Sequence, residues 1–90
     1  MTMRNAINIC KSKGCHFFDN ATMQFWQSKV FYDSFQRNNC FVTSEPDWDG
    51  EDRRFTVRRF TKDYSDVRTV GEFRQYATYQ EALKVAKEVV

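Results

Sequence analysis

Residues 54–61, with the sequence RFTVRRFT, alternate polar and apolar side chains, which is the pattern of a β-strand with one covered face. Phe55 and Val57 fall on one side, and the polar residues around them fall on the other. At Arg59 the alternation places an arginine on the apolar side, so either a bulge resets the pattern or that end of the strand is open to water. We therefore expect a half-exposed strand here.

Further strand-like segments lie on both sides of this one. Val30–Phe35 and Cys40–Ser44 form a predicted hairpin around the turn Gln36–Asn39, where asparagine tolerates the left-handed conformation. Downstream, Lys62–Asp66 has turn composition and Val67–Tyr76 resembles a fourth strand. Four consecutive strands joined by short connections predict an antiparallel meander.

The segment after the strands predicts one amphipathic helix. Thr78 with Glu81 three residues later is a capping box, which marks a helix start. The apolar residues expected along one side of the helix are Ala82, Leu83, Ala86, Val89 and Val90. Such a stripe is typical of a helix that packs on a sheet.

The N-terminal third predicts short helical material. Asn5–Lys13 forms either a short helix closed by Gly14 or part of a loose arm over residues 1–15. Asp19 is a predicted N-cap for a helix over Asn20–Gln27, whose aromatic residues we expect under the sheet. The fold prediction is one small α+β domain over residues 1–90. It is a four-stranded antiparallel meander with a short N-terminal helical segment and a C-terminal helix packed on the sheet.

Composition limits the classes of function. The chain has 90 residues, with 14 basic and 12 acidic side chains, and a net charge of +2 is too balanced to indicate nucleic-acid or membrane binding from bulk charge. No segment approaches the roughly 18 consecutive apolar residues that span a bilayer, and the first residues lack the apolar region of a signal peptide. The three cysteines are too few and odd in number for a disulfide framework. We expect a cytoplasmic protein with free thiols.

Two groups of residues contain side chains that bind metal ions in other proteins. Cys10, Cys15, His16 and Cys40 have looser spacing than a zinc motif, and whether they converge is left open. The acidic loop 47–52 resembles a calcium loop, but twelve-residue counting places Arg58 where a glutamate is required. We therefore predict no metal and no cofactor. The chain has no nucleophile motif or glycine-rich phosphate loop, so we also predict that it is not an enzyme.

The strongest binding candidates are an exposed loop and a group of arginines. Trp48 is either folded back onto the sheet or an exposed anchor, and exposed tryptophan is enriched at binding hot spots. The arginines either form a positive face for a partner or are neutralised by the acidic loop. The predicted partner-binding residues are Asp47, Trp48, Asp49, Arg54, Arg58, Arg59 and Arg74.

Four segments carry a resemblance to a known group of proteins. They are FFDxxTMxFWxS at 17–28, FVTSE at 41–45, RxTVRxF at 54–60 and VGEF at 70–73. In these segments the chain is similar to short uncharacterised proteins of phages and prophages, from Phe17 onward.

The resemblance implies a biological context. Small non-enzymatic proteins of phage accessory regions often bind and inhibit a host protein machine, such as a CRISPR or other defence effector. The expected partner is a host protein or ribonucleoprotein complex in the host cytoplasm, and the protein itself is expected to be a monomer or homodimer. The alternative is a nucleic-acid-binding module with an arginine-rich sheet face, because the order of helix and sheet is loosely similar to that of double-stranded RNA-binding domains.

Overall fold

The computed structural model describes all residues, 1–90, as an α+β fold. The elements in chain order are α1 (Met3–Ser12), α2 (Asn20–Trp26), β1 (Lys29–Phe31), a 3-10 turn (Tyr32–Ser34), β2 (Cys40–Pro46), β3 (Arg53–Phe60), β4 (Val67–Val70) and α3 (Tyr79–Glu88). The sheet order is β1-β2-β3-β4, and every neighbouring pair is antiparallel. The predicted meander is confirmed, and so is the C-terminal helix packed on the sheet.

Both faces of the sheet are covered, so the prediction of a half-exposed β3 is wrong. On one face, which we call the N-terminal face, Phe41 and Phe60 pack against buried residues of α1 and against Phe18. On the other, the α3 face, Val57 packs against Ala82 and neighbouring residues of α3. Alternation along a strand shows which side chains share a face. It does not show that helices from both ends of the chain close over the two faces.

Strand β3 keeps its alternation through Arg59 without a bulge. The register runs unbroken to the pair between Cys40 and Arg59. Arg59 therefore lies on the α3 face, where its guanidinium donates to the carbonyl oxygens of Asn38 (3.0 Å) and Val90 (3.1 Å). Phe60 points into the other core layer. Neither expectation for this position is correct, because the arginine reaches carbonyl groups at the border of the α3 layer.

The N-terminal segment forms a helix that contributes to the core. Thr2 caps it, since its hydroxyl accepts from the N–H of Asn5 at 3.2 Å. Met3, Ala6 and Cys10 are buried. Of the two expectations for this segment, the structure has the helix.

Helix α2 follows Asp19 as expected, but its carboxylate does not cap the helix. Asp19 Oδ2 instead lies 2.8 Å from His16 Nδ1.

The outer strands are shorter than the apolar pattern predicts. β1 ends at Phe31 because the chain enters a 3-10 turn, and the Ser34 hydroxyl accepts from the N–H of Val42 at 2.7 Å. β4 ends at Val70, and Gly71, with φ of 78°, starts a tight turn. At the C-terminus, Val85 packs against the core. Val90 is exposed, contrary to the predicted stripe.

A buried carboxylate lies on the N-terminal face, near the end of β2. Glu45 is 0% exposed. Its Oε2 accepts from the hydroxyls of Ser28 (2.7 Å) and Thr43 (2.8 Å) and from Arg58 (3.2 Å). Its Oε1 accepts from the Thr56 hydroxyl at 2.7 Å. Every buried side-chain oxygen or nitrogen atom has a hydrogen-bond partner, so this network is fully satisfied.

Two aromatic rings cover the arginine of this network. The Arg58 guanidinium carbon lies 5.1 Å from the ring centre of Phe17 and 5.5 Å from that of Phe73. Its Nη1 donates to the Thr69 hydroxyl at 2.7 Å. Burial lowers the pKa of Arg58 from its usual value, and the Glu45 carboxylate opposes that change. The pair is thus held between aromatic rings and hydroxyl groups rather than by water.

We predict that Glu45→Gln destabilises the fold by about 3 kcal/mol, because it leaves the buried Arg58 charge without a counterion. The matched control is Glu51→Gln, since Glu51 is exposed and should change stability by less than about 0.5 kcal/mol. Urea unfolding followed by circular dichroism measures both. A Glu45→Gln protein as stable as the control would show that the ion pair contributes little.

Candidate functional site

An open cleft lies where the end of α2 meets the β2–β3 loop and the turn after β4. Its volume is about 660 Å³. We call it the aromatic cleft, and its lining residues are Phe25, Trp26, Gln27, Pro46, Asp47, Trp48, Arg54, Phe73 and Arg74.

Four aromatic side chains of the cleft are exposed to solvent. The exposed fractions are 76% for Phe25, 49% for Trp26, 98% for Trp48 and 42% for Phe73. The Trp26 ring lies edge-on to Phe25 at 5.0 Å and to Phe73 at 5.3 Å between ring centres. Large apolar side chains left in water on one patch are characteristic of interaction surfaces.

The expectation that the aromatic residues of α2 pack under the sheet is wrong for Phe25 and Trp26. Met23 of the same helix packs against the core. Phe25 follows two residues later, about 200° further around the helix, and therefore faces solvent. Both aromatic residues line the cleft instead.

The loop that carries Trp48 is ordered by its own carboxylates. Asp47 Oδ1 and Asp49 Oδ1 both accept from the N–H of Glu51, at 3.2 and 3.1 Å. The Asp47 N–H donates to the carbonyl of Asp52 at 2.7 Å. A hydrogen bond with Asp49 is the largest cause that lowers the pKa of Asp47. Trp48 is left fully in solvent, so of the two expectations for it the structure has the exposed one.

Arg54 holds the turn that carries Phe73. Its Nε donates to the carbonyl of Arg74 at 2.8 Å, and its Nη2 donates to the carbonyl of Gln75 at 2.9 Å. Arg74 has a backbone φ of 57°, which is a left-handed conformation that residues other than glycine adopt rarely. Two charge-assisted hydrogen bonds from one guanidinium stabilise the strained turn.

Arg74 in turn ties the turn to the acidic loop. Its Nε donates to the carbonyl of Glu45 at 3.2 Å, and its Nη2 donates to the carbonyl of Asp52 at 3.0 Å. The same Nη2 lies 3.6 Å from the Asp52 carboxylate. The loop, the turn and the strand ends are therefore joined through arginine side chains, which fixes the walls of the cleft.

Not all of the sequence-predicted binding residues come together. Those that line the cleft are Asp47, Trp48, Arg54 and Arg74, and Asp49 lies in the same loop. Arg58 is buried beneath Phe73, and Arg59 lies on the opposite face of the sheet. The continuous positive face expected of these arginines is not formed, because one is paired with Glu45 inside the fold and another points toward α3.

Five lining residues of the cleft were not predicted from the sequence, and three of them are aromatic: Phe25, Trp26 and Phe73. The available signal was that the apolar residues of α2 do not form one stripe at helical spacing. Aromatic residues off the stripe of a short helix are candidates for a surface rather than for the core.

The three cysteines and the histidine do not converge on one site, because only Cys10 and Cys15 lie together. Cys10 and Cys15 belong to the core under the N-terminal face, whereas Cys40 belongs to the core under α3. His16 is exposed. No group of three or more histidine, cysteine, aspartate or glutamate side chains is arranged to hold a metal ion. None of the helices has both the length and the apolar composition to cross a bilayer.

Comparison with known proteins identifies a family. The model of a family described as "Family of unknown function (DUF7447)" matches residues 2–87. The chain belongs to this family, and the match spans all of its helices and strands except the last residue of α3. No curated protein and no solved structure matches the chain.

We predict that acrylamide quenches the fluorescence of Trp48 more strongly than that of Trp26, because the Trp48 ring has almost no protein contact. Trp26→Phe leaves only Trp48, and Trp48→Phe leaves only Trp26, so each residue is measured alone. Quenching of the two single-tryptophan proteins should differ in this order and converge in denaturant. Equal quenching of the two folded proteins would mean that the loop folds back over the cleft in solution.

Proposed function

We propose that this member of the DUF7447 family is a non-enzymatic protein-binding module that attaches to a partner protein through the aromatic cleft. The observation that carries the proposal is the exposure of four aromatic side chains around one cleft. Tryptophan is enriched at the centres of protein interfaces, where a few buried aromatic residues supply most of the binding free energy. The cleft offers such anchors in one place.

The energetics favour a partner over open solvent. Burying one large apolar side chain contributes about 1.5–3 kcal/mol. Rigid cleft walls also favour binding, because a loop that becomes ordered only on binding weakens the affinity. Here the loop and the turn are already held by hydrogen bonds that the Asp47 carboxylate accepts and that Arg54 and Arg74 donate. A partner therefore meets a surface whose shape is largely set.

Charge indicates the chemistry of the partner surface. Residues 47–54 contain four carboxylates and two arginines, a formal charge of −2, although the whole chain is at +2. Arg74, which lies 3.6 Å from the Asp52 carboxylate, adds one positive charge, so the loop and the cleft together keep a formal charge of −1. A complementary partner surface combines an apolar pocket or ridge with lysine or arginine side chains beside it.

The resemblance to phage and prophage proteins supports a host protein machine as the partner. A module of this size inhibits by covering a surface that the machine needs for substrate or for assembly. Defence effectors, including CRISPR ribonucleoproteins, fit the context, and the site of action in this proposal is the host cytoplasm. The proposed module is non-enzymatic. Its support is that Arg54 and Arg74, the cationic groups of the cleft, donate to backbone carbonyls and hold the fold instead of facing a substrate.

One observation favours a second candidate, binding of single-stranded nucleic acid. Aromatic rings beside arginine side chains are the usual platform for stacked bases and phosphates. The carboxylates of the acidic loop, at the same cleft, oppose a phosphate backbone. We therefore place this function second.

The test is affinity capture with a tagged protein from a host bacterial lysate, followed by quantitative mass spectrometry. The cleft variants are Trp48→Ala and Phe25→Ala, and the matched control is Tyr32→Ala, an exposed aromatic residue outside the cleft. We expect wild type and control to retain one partner through nuclease treatment. Each cleft variant should lose about 2 kcal/mol of binding free energy, roughly a thirtyfold rise in Kd for the purified partner.

Two results would contradict the proposal. Capture by the cleft variants at the wild-type level would move the binding surface elsewhere. Capture that disappears with nuclease, or that falls steeply as salt rises, would favour the nucleic-acid function, because phosphate contacts release counterions.

A further inference from the structure

The end of α1 brings two cysteines together through its backbone. The N–H of Cys15 donates to the carbonyl of Cys10 at 3.0 Å, and the N–H of Gly14 donates to the carbonyl of Lys11 at 3.1 Å. Gly14 has φ of 91°. These features define a Schellman motif, in which the side chains at the positions of Cys10 and Cys15 contact each other. In this chain both contacting side chains are thiols, and both are free.

The two thiols differ in their access to solvent. Cys10 is 0% exposed, and its burial raises the pKa of the thiol well above its usual value. The neighbouring Cys15 thiol raises the pKa of Cys10 further. Cys15 is also buried, at 6% exposed, but it lines an open cleft of about 630 Å³ between the end of α1 and the β3–β4 connection. A small molecule in that cleft reaches Cys15 first and reaches Cys10 only through it.

The third cysteine is outside this arrangement. Cys40 is 0% exposed and lies under α3, on the other side of the sheet from the pair. It has no thiol neighbour in its core layer. It therefore serves as an internal reference for the reactivity of a buried, unpaired cysteine.

We propose that Cys10 and Cys15 form a thiol pair that a small disulfide, such as oxidised glutathione, converts into an intramolecular disulfide bond. Cys15 is the attacking residue and Cys10 is the resolving residue. The proposal concerns a covalent modification site and stands apart from the function proposed for the aromatic cleft.

The reaction is a double thiol–disulfide exchange. The Cys15 thiol loses its proton to water, and its sulfur attacks one sulfur of the small disulfide, which releases one thiolate and leaves a mixed disulfide on Cys15. Cys10 then loses its proton to solvent and attacks the Cys15 sulfur, which releases the second thiolate. The released thiolates take up the two protons. In total, two protein thiols are oxidised to one disulfide and one small disulfide is reduced to two thiols.

The test uses the folded full chain incubated with oxidised glutathione at about pH 8, near the ordinary thiol pKa. When the treated protein is then unfolded in denaturant, we expect titration with a maleimide to fall from three free thiols to one. Intact mass should fall by two hydrogen atoms. Trypsin cuts after Lys11 and Lys13, so the disulfide should join the peptides Asn5–Lys11 and Gly14–Lys29.

Three variants assign the roles. Cys10→Ser should stop at a glutathionyl adduct on Cys15, whereas Cys15→Ser should remain unmodified. Cys40→Ser, the matched control, should form the disulfide as wild type does. Circular dichroism checks that each variant is folded, and the wild-type peptide map tests the pairing without any variant.

The proposal is overturned by any of three results in wild type. These are three thiols that stay free in the folded protein, a linked peptide that contains Cys40, and a stable glutathionyl adduct that never resolves. Each of these would leave the proposal for the aromatic cleft untouched, since no residue of the aromatic cleft takes part in the exchange.

Discussion

The ion pair between Glu45 and Arg58 is the constraint on which the rest of the structure depends. Removing two charges from water is unfavourable by several kcal/mol for each ion, and only close geometry with additional hydrogen bonds offsets that penalty. The penalty explains why residues 43 and 56, two buried positions that a purely apolar core would give to valine or leucine, are threonines that donate to the Glu45 carboxylate. It also requires a cover that keeps water out. Phe17 and Phe73 supply that cover over the guanidinium.

The cover over Arg58 also shapes the aromatic cleft. Phe73 closes one side of the guanidinium, so the chain after β4 must turn back over the sheet instead of continuing as a strand. That turn sets Phe73 beside Trp26 and places Arg74 against the acidic loop. One face of the Phe73 ring is used inside the fold, and the remaining part of the ring is presented to solvent. The binding surface and the buried network thus share a side chain.

The meander and the α3 cap could be predicted because they depend on local patterns, namely turn composition, alternation and a capping box. The role of Arg58 could not, because alternation groups it with Arg54 without showing that Phe17, some 40 residues away, covers only one of them. The same limit applies to Phe25, whose exposure depends on how a short helix is rotated on the core. The exposure of Trp48 could not be decided either, because it depends on how the carboxylates of its own loop hold the backbone.

The distribution of hydrogen bonds also argues for which groups are left to recognise a partner. Arg53, Arg54 and Arg59 all donate to backbone carbonyls, and Arg58 donates to side chains inside the fold. Donors already engaged in this way must break internal bonds before they contact a phosphate or a carboxylate. The exposed sides of the aromatic rings in the cleft make no internal contact that has to be broken first. Recognition through apolar contact, with the loop carboxylates selecting a basic neighbour, therefore disturbs the fold least.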